Sequence, residues 1–131
     1  MRAALLLSLC ACTLQQAPPP GAAGPVEAVQ QFAAALHKGD SATAWSLLSE
    51  STRAEADRRA AAARSSSDAG PESGRQMLFT SALPDRPFEA RQLSLSGDSA
   101  EVQTASDAGV PRVWHVVREG GRWRVDLDLG R

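Results

Sequence analysis

The chain has 131 residues, 43% of them hydrophobic and 22% charged, with 14 Lys plus Arg against 15 Asp plus Glu. That is enough for one domain of ordinary size, and a near-neutral balance without a basic stripe excludes nucleic acid as a partner. Cys10 and Cys12 are its only cysteines, and its two histidines are far from them, so no metal and no cofactor is expected.

The N-terminus opens with Met1 and Arg2, followed by an apolar run from Ala3 to Leu9. Such a run, at about 1.5 Å per residue, is far too short to cross a hydrocarbon core of roughly 30 Å. A short basic start, an apolar stretch and small residues are the pattern of an export signal, here residues 1–11. The order Leu9-Cys10-Ala11-Cys12 resembles the lipobox of bacterial lipoproteins, whose modified cysteine becomes the new N-terminus. Bulky Leu9 before Cys10 fits that cleavage poorly, so Cys12 is the expected lipidation residue. The resemblance implies several acyl chains on Cys12, a stable anchor where a single chain would bind only marginally. Thr13 follows it in place of the aspartate that marks inner-membrane retention in enterobacterial lipoproteins, which points to the outer membrane of the cell envelope. Removal of residues 1–11 leaves no free thiol and excludes cysteine catalysis.

Residues 12–24 carry three prolines and no periodicity, as expected of an extended tether. Residues 25–131 form the domain. Its first helix is read from Pro25, suited to the first helical position, with Val26, Val29, Phe32, Ala33 and Leu36 on one stripe. Lys38 and Gly39 stop it, and His37 is a solvated residue beside that stop. Asp40 caps a second helix, "SATAWSLLSE", whose inner face is Ala44, Trp45, Leu47 and Leu48. A polar third helix follows, capped at Ser51. Turn-forming residues 65–74 then lead to a short helix holding Met77, Leu78 and Phe79.

After Pro84 the period changes to two. "FEARQLSLSGDSAEVQTA" reads as a hairpin about its "SGD" turn, and "VPRVWHVVREGGRWRVDLDL" as a second about Gly120-Gly121. Pairing across Gly120-Gly121 sets Arg118 opposite Trp123, Val116 opposite Val125 and Trp114 opposite Leu127. This apolar face is expected to cover the helices. On the other face Val113, His115 and Val117 meet Arg124, Asp126 and Asp128.

The ordered set of helix, "KGD", helix ending in "LLSE", polar helical stretch, "GDSAEV" and closing "GGRWRVDL" resembles the nuclear transport factor 2-like superfamily (cone-fold, SnoaL-like). Within it, the pattern is similar to small bacterial lipoproteins over about residues 25–130. The resemblance implies an α+β fold, N-terminal helices packed on a curved antiparallel sheet of about four strands, with a conical cavity between them. That fold hosts enzymes, ligand binders and interaction modules alike. Its ketosteroid isomerases pair an acidic base with a tyrosine, and this chain has no tyrosine. Its other enzymes use histidine and aspartate with tyrosines, or an Asp-Arg-Asp relay.

Three readings follow, in order of preference. The first is a membrane-tethered, non-catalytic domain with an envelope protein as partner. The second is a binder of a small apolar ligand, with Phe32, Trp45, Phe79, Phe88 and Trp123 lining the cavity. The third is an enzyme using His115 with Asp126, a pair that the register instead sets on the outer sheet surface as ordinary cross-strand pairing.

Overall fold

The computed structural model describes residues 20–80, 87–106 and 109–130, with only the backbone described for Pro87, Phe88 and Ser106. It is α+β: helices α1 (Pro25–Lys38), α2 (Ser41–Ser46), α3 (Glu50–Ser66) and α4 (Gly74–Phe79) precede four strands. Strands β1 (Pro87–Ser96), β2 (Ser99–Ser106), β3 (Pro111–Glu119) and β4 (Arg122–Asp126) form one antiparallel sheet in the order β1-β2-β3-β4. Among the described residues no helix is long and apolar enough to cross a membrane.

Helix α1 follows from its sequence. Pro25 sits in its first turn, and Ala28, Val29, Phe32, Ala33 and Ala35 are buried, a stripe at three- and four-residue steps. Phe32 is 2% exposed, and burial of such a side chain contributes about 1.5–3 kcal/mol. Gly39 ends the helix at φ 72°, a left-handed turn that glycine adopts without penalty. Helix α1 lies across the sheet and touches all four strands.

Asp40 caps α2, accepting from the Thr43 backbone N–H at 3.1 Å and its hydroxyl at 2.6 Å. These bonds hold the Asp40 carboxyl below its ordinary range. The expected second helix, however, is shorter than its sequence suggests. It stops at Ser46, and Leu47–Ser49 lie parallel to β4 instead. Val125 N–H donates to Leu47 O at 2.7 Å, and Ser49 N–H to Val125 O at 2.8 Å. Extending the chain here buries both Leu47 and Leu48 while pairing backbone groups that the β4 edge would leave open. The third helix then starts two residues earlier than read, capped by Ser49 rather than Ser51, with the Ser49 hydroxyl accepting the Thr52 N–H.

Helix α3 packs on α4, where a Cβ on Gly74 would come within 2.5 Å of Asp57 N, so the approach requires glycine. On its outer face Glu55 accepts from Arg58 Nη2 at 2.6 Å and Arg59 Nε at 2.7 Å. These donors bring the Glu55 carboxyl from its ordinary 4.5 down to about 2. A depressed carboxylate contributes stability above its unfolded value and loses it as pH falls through the folded one. Wild-type protein is therefore expected to lose more stability than Glu55→Gln between pH 4.5 and about 2, read from melting midpoints across that window. Equal slopes for the two proteins would refute the assignment.

The period-two reading of the strands holds. Ala100, Val102, Trp114, Val116, Trp123 and Val125 alternate onto one buried face beneath the helices. Trp114 Nε1 donates to the buried Thr104 hydroxyl at 2.9 Å, and the Arg112 guanidinium sits 4.0 Å from the Trp114 ring centre. Opposite pairs across Gly120-Gly121 include Arg118 with Trp123, Val116 with Val125 and His115 with Asp126, as the turn residues imply. Ala22 joins the β4 edge by two bonds to Trp123, each 2.8 Å. At the other edge β1 carries a register shift between Gln92 and Ser94, a bulge that disrupts edge-to-edge pairing.

Candidate functional site

The outer face of the sheet carries a row of ionisable groups. The β2–β3 register sets Glu101 opposite His115, and the β3–β4 register sets His115 opposite Asp126. The imidazole thus stands between two carboxylates on adjacent strands. Its side chain is 59% exposed, and Nδ1 is 3.7 Å from Glu101 Oε1. A shallow groove of about 300 Å³ runs over this row, edged by Ser94, Ser96, Ser99 and Val117. At such exposure a cross-strand ion pair is screened by water and is worth about 0–1 kcal/mol.

Asp126 faces another task. Its Oδ1 accepts from the Ser49 hydroxyl at 2.6 Å, the Ser51 hydroxyl at 3.0 Å and the Thr52 hydroxyl at 3.2 Å. All three belong to the cap and first turn of α3. Thr52 Oγ1 also accepts the Leu127 N–H at 2.9 Å, carrying the attachment one residue beyond β4. Glu119 adds a second carboxylate, taking the Glu50 N–H at 3.1 and 3.2 Å. The open N–H groups and dipole of a helix start favour negative charge at that point. Asp126 and Glu119 therefore fasten α3 to the β3–β4 hairpin. An oxygen already serving three hydroxyl donors is committed to structure, a poor arrangement for abstracting a proton.

The expected cavity-lining residues lie elsewhere. Phe32 and Trp123 are buried, at 2% and 6% exposure, in the core between helices and sheet. Trp114 meets Phe32 edge to face at 5.9 Å between ring centres, and Phe79 lies 6.4 Å from it. Trp45 and Phe79 are half-buried against the same core. Phe79 also reaches a polar cleft of about 360 Å³ between α2 and α4, beside Ser41, Arg75 and Gln76. The Phe88 side chain and Cys12 lie outside the described residues.

Sequence reasoning missed Glu101, which the β2–β3 register, not the pairing across the "SGD" turn, sets beside His115. It had also missed Ser49, Ser51 and Thr52 as the partners of Asp126, and no local pattern links residues so far apart in the chain. Among the described residues no group of three or more His, Cys, Asp or Glu side chains is arranged to hold a metal ion. No protein-family model matches this chain, and no curated protein matches it.

Proposed function

We propose that this chain is a lipid-tethered, non-catalytic domain of the bacterial cell envelope that works by contacting an envelope protein, anchored through Cys12 to the outer membrane. The cone fold of the nuclear transport factor 2-like superfamily belongs to the same reading, supported by α1 lying across one face of a four-stranded antiparallel sheet.

The observation that carries the non-catalytic part is the disposition of the two faces. Aromatic rings pack against one another on the helix side, where a cone-fold ligand would sit. The one histidine of the sheet stands on the opposite, solvent-facing side. Contact through the outer surface is what remains, and Val113 there is 47% exposed, with Val110 at 60% exposure before β3. A second reading, binding of a small apolar ligand, is favoured only by half-buried Phe79 at the α2–α4 cleft.

The anchor is tested by Cys12→Ser in the native host. The wild-type protein is expected in the membrane fraction and the variant in the soluble fraction. A variant that stays with the membrane would refute the lipid anchor.

A further inference from the structure

The cleft between α2 and α4 has a floor and a rim of different character. Phe79 is half-buried: its ring meets Phe32 in the core, 6.4 Å between centres, and it also lines the cleft. Around it stand Ser41, Glu72, Arg75, Gln76 and Thr80. Among the described residues no hydrogen bond or ion pair engages the Ser41 and Thr80 hydroxyls, the Glu72 carboxylate or the Arg75 guanidinium.

The rim is nevertheless tied down through its backbone. Arg64 Nη1 donates to Pro71 O at 3.0 Å and also to Glu72 O. Gly74 N–H donates to Asp57 Oδ1 at 2.8 Å, which fastens the start of α4 to α3. Gln76 Oε1 accepts the Glu72 N–H, which fixes the carboxamide and leaves its Nε2 hydrogens to donate. The backbone is held while the side chains at the mouth keep their bonding capacity, and such preorganisation favours binding. The volume of about 360 Å³ falls within the roughly 300–1,000 Å³ of ordinary small-molecule sites.

These groups select the chemistry of the ligand. An apolar molecule would take a carboxylate, a guanidinium and an amide out of water without replacing their hydrogen bonds. Arg75 and Glu72 are opposite in charge, so the cleft favours neither an anion nor a cation throughout. Donors, an acceptor and hydroxyls that do both together match a neutral ligand bearing several hydroxyls. The aromatic floor in turn matches an apolar face. A pyranose combines the two, with C–H bonds on its ring face and hydroxyls around its rim. We infer that the α2–α4 cleft binds a neutral sugar ring, seated on Phe79 and hydrogen-bonded by Glu72, Arg75 and Gln76. This goes beyond the tethered-domain reading and does not depend on a lipid at Cys12.

The test titrates the full chain, in a zwitterionic detergent that carries no sugar, with methyl β-glucoside and with N-acetylglucosamine. Saturation-transfer NMR reads the sugar, and amide shifts read the protein. For at least one of the two sugars, transfer is expected to be strongest at the C–H protons of one ring face. Amide shifts should centre on Ser41 and residues 72–80. Arg75→Ala, at an exposed position, should weaken binding about tenfold, the usual worth of a hydrogen bond to a charged group. Phe79→Leu keeps an apolar side chain against Phe32 and should abolish the one-faced transfer. His115→Gln, on the outer sheet face, should leave the affinity unchanged. Absence of transfer to both sugars would overturn the inference, as would an affinity indifferent to Arg75→Ala or lowered by His115→Gln. Toluene shifting the same amides where neither sugar does would overturn it in favour of an apolar ligand.

Discussion

Replacing Trp123 by alanine is expected to lower the unfolding free energy by about 3–5 kcal/mol, the usual cost of truncating a large buried aromatic. Trp123 is 6% exposed and lies on the helix-covered face with Val125 and Val116. The Arg118 guanidinium covers its ring at 5.6 Å from the centre. Its backbone also holds Ala22, so the cavity would open directly beneath that attachment. The neighbouring α1 and strands are joined at many points and can collapse only partly into that space. Trp123→Phe should recover much of the loss, because it restores most of the apolar volume. Urea unfolding of the three proteins checks this. An unchanged midpoint for Trp123→Ala would place the tryptophan face outside.

Asp126→Ala is expected to cost about 2–4 kcal/mol, because removal of an acceptor strands its buried donors. Ser49 is fully buried and Thr52 is 2% exposed, so neither hydroxyl regains a full water shell. The loss should concentrate at the start of α3. Amide exchange there should accelerate more than exchange in β2, where no partner is removed. Asp126→Asn keeps an acceptor oxygen but removes the charge at the helix start, and should fall between wild type and alanine. His115→Gln, by contrast, should leave stability nearly unchanged, since its pairing is solvent-screened. If His115→Gln proved as damaging as Asp126→Ala, the outer-face description of the row would fail.

The difference between these two neighbours explains what the sequence could reveal. The β3–β4 register was legible because a two-residue glycine turn and strict alternation leave one pairing that buries Trp114, Val116, Trp123 and Val125 together. From that register the outward placement of His115 follows directly. The extent of α1 was legible for a similar reason, with Pro25 at its start and Gly39 at its end. The break at Leu47 was not. "SLLSE" has good helical residues, and only the Val125 backbone, far along the chain, draws the segment into an extended path. Asp126 is read from the alternation as the cross-strand neighbour of His115, and the register sets the two opposite each other. Its stronger attachment, to hydroxyls at the start of α3, depends on that same long-range bridge.

The proposed lipid on Cys12 is tested by mass spectrometry of the protein extracted from membranes. The expected result is an N-terminal peptide beginning at Cys12, with the mass of a thioether-linked diacylglycerol on that residue. An unmodified peptide containing Cys12, or a mature chain beginning at any other residue, would contradict it.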